Sequence, residues 1–244
     1  MKKFGLIIPA RMHSSRLPGK PVIQICGKPM ILRTVDQCRL AVNNEDIYVA
    51  TDDVLIRNLC EENNVQVLMT SENCLTGTDR IAEAAKKLDK EVFINVQGDE
   101  PIFDPADIEK FLNHINEHPK ESVYTGYCAI ADRTQFLSPN IPKMIMSPNG
   151  YLIYASRSPI PGNKLNEFIS ANRQVCIYGF TRQALEAFNK NGQKTPLETI
   201  EDIEILRFLE LGFKVKCCKL SDSSIAVDVP EDVEAVEARI ASYV

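Results

Sequence analysis

The segment Phe4-Gly5-Leu6-Ile7-Ile8 is a continuous apolar run, and the cationic stretch Pro9–Pro21 (PARMHSSRLPGKP) follows it directly. An apolar run without polar alternation is typical of a strand that is buried on both faces of a parallel sheet. Open α/β sheets bind their ligands beyond the carboxyl ends of the strands. The cationic stretch therefore follows this strand at the position where such a sheet would hold an anionic ligand.

The same pattern recurs through the first 120 residues of the chain. Further short apolar runs alternate with helix-like segments, which predicts a parallel sheet with right-handed crossovers and helices on both faces. The predicted strands of this half are Phe4–Ile8, Ile47–Ala50, Val65–Met69 and Val92–Val96, and the predicted helices are Met30–Ala41, Val54–Asn63 and Thr78–Leu88.

The second half of the chain is less regular. Five prolines between Ser138 and Gly162 exclude a long helix there, because proline lacks the N–H donor and clashes with the preceding turn. We predict one α/β domain over residues 1–244, with a mostly parallel twisted sheet and an inserted antiparallel β subregion at 130–190. The strands expected here are Lys143–Met146, Leu152–Ala155, Val175–Phe180 and Phe213–Cys218, and the helices are Arg182–Asn189, Leu197–Leu211 and Pro230–Ser242.

Composition excludes several classes of protein. The net charge of −5, the absence of tryptophan and the 7% aromatic content argue against a nucleic-acid partner. No apolar run approaches the ~18 residues that a membrane span needs, and Phe4–Pro9 is too short for a signal-peptide core. We therefore expect a cytoplasmic protein without a membrane partner. The eight cysteines form no CxxC pair, so we expect reduced and mostly buried thiols rather than a zinc site.

The cationic stretch carries Arg11, Arg16 and Lys20 together with Ser14 and Ser15. Arginine forks and lysine point charges suit several phosphate oxygens. The stretch differs from a P-loop, because the glycine-rich spacing is missing and proline follows Lys20 where Ser or Thr would bind magnesium. A solvated surface loop is the alternative interpretation.

Two carboxylates follow apolar runs that lie far apart in the sequence. Asp99 belongs to Gln97–Pro101 (QGDEP), and Asp228 belongs to Val227–Asp232 (VDVPED). Magnesium is usually held by one or two carboxylates together with substrate phosphates. The two aspartates are therefore candidate ligands of one Mg²⁺ ion, although each could instead cap the helix that follows it.

Small polar groups mark other strand ends. Thr51 and Ser71 could contact a base or a ribose. Gly77 and Arg80 belong to Thr76–Arg80, at a predicted helix start that favours anions or base carbonyls.

From about residue 4 to 240, the chain resembles the 3-deoxy-manno-octulosonate (Kdo) cytidylyltransferases, also called CMP-Kdo synthetases. Seven segments, which occur in the same order as in that family, carry the resemblance. The resemblance implies a nucleotidyltransferase fold, transfer of CMP from CTP to a sugar acid with release of pyrophosphate, Mg²⁺ as cofactor, and a homodimer formed through the 130–190 insert. The segments are Ile8–Lys20, Gly27–Met30, Val49–Asp53, Gly77–Arg80, Asn95–Pro101, Ser156–Pro161 and Val227–Asp232.

The same resemblance assigns expected roles to individual residues. It implies a triphosphate loop of Arg11, Ser14, Arg16 and Lys20. It implies nucleotide-binding segments that contain Thr51, Ser71, Gly77, Arg80 and Gln97. It implies the metal ligands Asp99 and Asp228, and Arg11, Lys20 and Asp99 as the catalytic set. It implies acceptor contacts from Arg157, Gln174, Tyr178 and Glu204.

Two positions depart from the family pattern on the acceptor side. The family has His-x-Gly-Ile-Tyr where this chain has Gln174–Tyr178 (QVCIY), and Leu-Glu-Gln-Leu-Arg where this chain has Ile203–Arg207 (IEILR). Gln174 and Ile205 thus replace an imidazole and an amide, and this changes which acceptor hydroxyls can be satisfied. The resemblance implies transfer to the anomeric hydroxyl of a 2-keto-3-deoxy sugar acid that is Kdo or a close analogue. Our hypothesis from the two departures is that the acceptor is not ordinary Kdo, or not Kdo alone, and the alternative acceptors are amino-Kdo, a nonulosonic acid or a phosphonate.

Two functions of other classes are also considered. The segment His114–His118 (HINEH) matches the H-x-x-E-H pattern of a metallopeptidase, but Pro119 follows at once and the segment is polar, which favours a solvated helix end. A non-catalytic sugar-nucleotide-binding protein is the other alternative, and the presence of Lys20, Asp99 and Asp228 argues against it.

Overall fold

The structure is a computed structural model that describes residues 2–13, 17–165 and 167–242. Its strands are β1 (Phe4–Ala10), β2 (Gln24–Ile25), β3 (Lys28–Pro29), β4 (Ile47–Thr51), β5 (Gln66–Met69), β6 (Val92–Val96), β7 (Val123–Ala129), β8 (Lys143–Met146), β9 (Leu152–Ser156), β10 (Asn172–Thr181) and β11 (Val215–Lys219). Its α-helices are α1 (Met30–Arg39), α2 (Val54–Glu62), α3 (Gly77–Ala85), α4 (Pro105–Glu117), α5 (Arg133–Leu137), α6 (Arg182–Asn189), α7 (Pro196–Glu201), α8 (Ile205–Glu210) and α9 (Pro230–Ala241).

Nine of these strands form one mixed sheet in the order β11-β7-β10-β6-β1-β4-β5, to which β8 and β9 are added through β10. The pairs of β1 with β4 and β6, of β4 with β5, and of β7 with β11 are parallel, whereas β10 is antiparallel to β6 and β7. This confirms the predicted α/β class with an antiparallel addition.

The order of the strands determines where a ligand can bind. After β1 the chain crosses to β4 and β5 on one side, and it then returns to place β6 on the other side of β1. Crossovers that leave in opposite directions open a crevice at the carboxyl ends of the two adjacent strands. The segments that follow β1 and β6 therefore meet at this crevice.

The first strand is buried on both of its faces, as its apolar run predicts. Leu6 and Ile8 pack into the core on one side of the sheet with Val35 and Val49, and Ile7 packs into the core on the other side. All three side chains have no exposed surface.

The predicted single helix over Leu197–Leu211 was wrong. The structure has two short helices, α7 and α8, and Asp202 between them adopts a left-handed conformation with φ of 50°. Within this segment, Ile203 and Leu206 are buried as an apolar helix face would require, but Ile200, three residues earlier, is 79% exposed. The 3.6-residue pattern therefore did not correspond to one continuous buried stripe.

The strand β7 was not predicted from the sequence. Its polar Thr125 and its central Gly126 weaken the apolar signal, although the packing requires a glycine at position 126. A Cβ atom on Gly126 would lie 2.6 Å from Leu220 Cδ1 and 2.7 Å from Ile177 Cγ2, so a larger residue would displace the neighbouring core.

Two further expectations concern thiols and membranes. All eight cysteines are free, and Cys38, Cys60, Cys128, Cys217 and Cys218 are buried, which confirms mostly buried thiols. Over the described ranges, no helix combines the length and the apolar character that crossing a bilayer requires. The cytoplasmic location and the division into one domain with an insert stay predictions.

A buried ion network joins α8 to α3 and α7. The Arg207 guanidinium, which is 1% exposed, donates from Nε to Glu198 Oε2 at 2.5 Å and from Nη1 to Asp79 Oδ1 at 2.8 Å. It also lies 3.7 Å from the centroid of the Phe188 ring. One cation thus neutralises two buried carboxylates that come from distant parts of the chain.

Removal of this cation should strongly destabilise the fold. We expect Arg207→Met to lower the free energy of unfolding by about 3–5 kcal/mol, because two buried carboxylates would lose their partner. Arg57→Met is the matched control: its ion pair with Glu61 is 3.9 Å long and exposed, so its loss should cost less than about 1 kcal/mol. Urea denaturation measures the free energy of unfolding of both variants and of the wild type. If Arg207→Met lowers this free energy by no more than Arg57→Met does, the network contributes no net stability.

Candidate active site

A cavity of about 310 Å³ opens at the crevice between β1 and β6. Its walls come from the segments after these two strands, from the start of α3, from the junction of α7 and α8, and from the segment before α9. The predicted site residues on its walls are Arg11, Lys20, Gly77, Arg80, Gln97, Asp99, Glu204 and Asp228.

Lys20 connects the two predicted metal ligands. Its Nζ atom lies 2.6 Å from Asp99 Oδ2 and 3.0 Å from Asp228 Oδ1, and its side chain is only 12% exposed. Two oxygens that contact one nitrogen cannot lie farther apart than these two distances together. The carboxylates from distant segments therefore meet in one place, as the sequence predicted.

Backbone contacts hold the two carboxylates in this position. The Val227 amide donates to the Asp99 carbonyl at 2.9 Å, and the Asp228 amide donates to the Asp232 carboxylate at 2.7 Å. A Cβ atom on Gly98 would lie 2.8 Å from the Pro9 carbonyl oxygen, so only glycine lets the two strand-end segments pack this closely.

This donor set fits a hard divalent cation. Carboxylate oxygens are the ligands that magnesium prefers, and its usual sites combine one or two carboxylates with substrate phosphates. Asp99 and Asp228 are about one-third exposed, so both are accessible from the cavity.

The start of α3 holds the carboxylate of Glu204. The Gly77 and Thr78 amides donate to Glu204 Oε1 and Oε2 at 3.2 and 2.8 Å, and the positive end of a helix dipole favours this charge. Burial raises the pKa of Glu204, and its bonds to Thr78 and Gly77 oppose that rise. A residue predicted for the acceptor therefore contacts a segment predicted for the nucleotide.

Arg80 is fixed by the ends of β4 and β5. Its guanidinium is 2% exposed and donates to Thr70 Oγ1 at 2.6 Å and to Asp52 Oδ2 at 2.9 Å. Thr51 and Ser71 lie beside these contacts but do not line the cavity: Thr51 Oγ1 accepts from the Asp53 amide, and the Ser71 amide donates to Glu83, a residue of α3. Their predicted nucleotide contacts stay predictions.

Three of the predicted acceptor residues are outside the cavity lining. The Arg157 guanidinium donates to the backbone carbonyls of Pro139, Glu201 and Asp202 at 2.6–3.0 Å. Gln174 is 5% exposed, and its Nε2 atom has no hydrogen-bond partner among the described residues. Tyr178 is 6% exposed. Their contacts with an acceptor stay predictions. Ser14 and Arg16 of the triphosphate loop lie outside the described residues.

A buried polar cluster lies behind Asp99. Glu100 is 7% exposed and accepts a hydrogen bond from the Ser224 hydroxyl at 2.7 Å. Burial raises the pKa of Glu100 to about 7 and raises the pKa of the Cys176 thiol and the Tyr178 phenol well above their ordinary values. Cys176, at the position of the family's glycine, therefore carries a neutral thiol beside Glu100 and does not line the cavity.

The sequence analysis did not identify Lys194 and Asp202, which also line the cavity. Lys194 Nζ lies 2.8 Å from Asp202 Oδ1, at the junction where the predicted long helix is broken. No local pattern signals this pair, because its position depends on the break.

Comparisons with known proteins agree with this arrangement. The family model described as Cytidylyltransferase matches residues 6–217. The 8-amino-3,8-dideoxy-manno-octulosonate cytidylyltransferase of Shewanella halifaxensis is 40% identical over 97% of this chain and 98% of its own length. The mitochondrial 3-deoxy-manno-octulosonate cytidylyltransferase of Arabidopsis thaliana is 40% identical over 95% of this chain and 81% of its own length.

A solved structure of CMP:2-keto-3-deoxy-manno-octonic acid synthetase complexed with CTP superimposes with a TM-score of 0.92, at 31% identity, over 99% of this chain and 100% of that chain. The matches extend over nearly the whole sequence and include the segments that form the cavity. The chain therefore belongs to the cytidylyltransferase family and is an enzyme of the nucleotidyltransferase type.

Proposed function

We propose that this enzyme transfers CMP from CTP to the anomeric hydroxyl of a 2-keto-3-deoxy sugar acid and releases pyrophosphate. The observation that carries the proposal is the meeting of Asp99, Asp228 and Lys20 at one point of the cavity wall. The solved relative that is complexed with CTP, at a TM-score of 0.92, supports the choice of nucleotide.

The residues of this chain would act mainly by positioning and by neutralising charge, which is what phosphoryl-type transfer needs. Arg11 and Lys20 line the cavity and would contact the triphosphate. Asp99 and Asp228 would hold Mg²⁺, which would supply charge neutralisation at the phosphates and lower the pKa of the attacking hydroxyl. Gly77 and Arg80 would bind the nucleoside at the start of α3.

The acceptor is proposed as Kdo or its 8-amino analogue. One of the two relatives described above is named for an acceptor with an amino group at C8, and the other is named for Kdo itself. Both are 40% identical to this chain, so overall sequence identity does not favour either acceptor. Asp202 and Glu204 also line the cavity, but their carboxylates already have partners in Lys194 and in the amides of α3, so they favour neither acceptor.

We further propose a homodimer formed through the 130–190 insert. Large apolar side chains are exposed there: Leu137 at 48%, Ile153 at 58%, Leu165 at 74% and Ile169 at 76%. An interface through the insert would remove these side chains from water, which favours association.

Neutralising either proposed metal ligand should abolish most activity. We expect Asp99→Asn and Asp228→Asn each to reduce Mg²⁺-dependent pyrophosphate release from CTP and acceptor by at least about 100-fold, because a ligand charge is lost. Chelation of divalent ions should reduce the wild-type rate similarly. Asp89→Asn is the control, since that carboxylate is fully exposed and lies outside the cavity. Near-normal activity of both site variants would contradict the proposed function.

The acceptor preference should depend on Gln174. We expect Gln174→His to change the ratio of kcat/KM for Kdo to kcat/KM for 8-amino-Kdo at least about tenfold. The reason is that Gln174 is a buried polar residue which the family resemblance assigns to the acceptor, and the substitution changes its hydrogen-bonding groups. Gln66→His, an exposed position on β5, should leave the ratio unchanged. The panel should also contain a nonulosonic acid and a phosphonate, with pyrophosphate release as the measurement. An unchanged ratio in Gln174→His would exclude Gln174 from acceptor selection.

The proposed dimer can be tested by placing a charge on the exposed face of the insert. We expect Ile153→Glu to shift the molar mass measured by light scattering from two chains towards one, because the glutamate would have to be desolvated at the interface. Leu40→Glu, at a 69% exposed position on the end of α1, should remain dimeric. A monomeric wild type, or two equally dimeric variants, would count against this interface.

A further inference from the structure

The helix α4 ends in three residues that the proposed function does not use: His114, Glu117 and His118. One potential ligand atom from each of them lies within 4.8 Å of the other two. Across the part of the chain that the structure describes, this is the one group of three or more His, Cys, Asp or Glu side chains with such proximity. The group does not line the cavity of the active site.

The topology places this group far from the nucleotide. The helix α4 follows β6 and precedes β7, and these strands run in the same direction because β10 between them is antiparallel to both. The helix must therefore return from the carboxyl end of the sheet to its amino end. Its last turn lies at the edge opposite the cavity, so the group cannot contribute a residue to the transfer reaction.

One member of the group has an unsatisfied buried nitrogen. His114 Nε2 is inaccessible to solvent and has no hydrogen-bond partner among the described residues. A buried imidazole nitrogen without a partner has lost its hydration without compensation. A bound cation would satisfy this nitrogen. The unpartnered nitrogen is an observation independent of the proximity of the three side chains.

The backbone at the helix end orients the second imidazole towards the first. His118 is the C-terminal capping residue, and its ring lies edge-on to the His114 ring with 4.5 Å between centroids. The Tyr124 hydroxyl donates to the His118 carbonyl at 2.6 Å and to the Glu121 carbonyl at 2.9 Å, which fixes the turn. The two rings therefore pack edge to face at the end of the helix.

The charges around the group favour a cation. The C-terminus of a helix carries the negative end of its dipole, and Glu117 contributes a carboxylate. Two ammonium groups oppose this preference. Lys216 donates to the Asn149 carbonyl at 2.7 Å and lies 4.5 Å from the centre of the Tyr151 ring, and Lys2 donates to the Pro119 carbonyl at 2.7 Å. These contacts hold both lysine charges on other partners.

We propose that His114, Glu117 and His118 form a structural site for one transition-metal dication, with Zn²⁺ as the best-matched ion. Two imidazoles and one carboxylate are a ligand set that suits zinc, and water would complete a tetrahedron. Bond lengths of ~2.0–2.2 Å require the three ligand atoms to approach each other by small side-chain rotations. The bound ion would stabilise the turn from α4 to β7 and would take no part in the transfer reaction.

The experiment is a titration of the metal-free full-length enzyme with Co²⁺, whose visible absorption reports tetrahedral coordination. We expect one tightly bound equivalent that Zn²⁺ displaces. Asp99→Asn/Asp228→Asn, which removes the proposed catalytic metal site, should retain this absorption. His114→Gln/His118→Gln should weaken Co²⁺ binding at least about tenfold and should retain CTP-dependent pyrophosphate release, because the group is remote from the cavity.

A second measurement keeps the test valid if the double histidine variant folds poorly. Zn²⁺ should raise the melting temperature of the wild type, and this shift should shrink in Glu117→Gln, which keeps both imidazoles and removes an exposed carboxylate. The proposal is overturned if the wild type gives no tetrahedral Co²⁺ spectrum. It is equally overturned if the histidine variant binds Co²⁺ as tightly as the wild type, because binding would then come from cysteines or other groups.

Discussion

The architecture of the site depends on one ammonium group shared by two carboxylates. Lys20 follows the first strand, Asp99 follows a strand on its other side, and Asp228 precedes the last helix, so their contact joins segments from the two ends of the chain. Two carboxylates held this close repel each other, and a cation between them offsets that repulsion. The same negative charge that retains the lysine suits the site for a divalent ion and its phosphate ligands.

Much of this could be predicted from local sequence. The run Phe4–Ile8 predicted a strand buried on both faces, and the structure confirms it. Arg11 and Lys20, which follow this strand, line the cavity, and their contact with phosphate stays a prediction. Asp99 follows β6, as its apolar run predicts. Among the described residues, Asp228 follows no strand of the sheet; the hydrogen bond from the Val227 amide to the Asp99 carbonyl brings it to Asp99, and this contact is not part of any local pattern. The inferences that succeeded depend on periodicity and on sheet topology, which local residues determine.

Other features depend on contacts that no local pattern contains. The chain breaks at Asp202, and beyond the break Glu204 and Arg207 both contact the first turn of α3; a helical periodicity cannot show these contacts. The strand β7 has a weak apolar signal because Gly126 is required by two side chains from other elements. Two of the three carbonyls that accept from Arg157, those of Glu201 and Asp202, belong to the α7–α8 junction. In each case a long-range contact outweighed the local preference.

The attachment of Glu204 to the first turn of α3 has a consequence for how substrates communicate. The same short helix α8 also reaches α3 through Arg207 and Asp79, so two bridges tie the acceptor side to the nucleoside side. A ligand that orders one side then lowers the entropic cost of ordering the other, and thermodynamic reciprocity requires each ligand to strengthen the other's binding by the same factor. Under the proposed function, the two substrates would therefore bind cooperatively through a carboxylate that is bound to the first turn of α3.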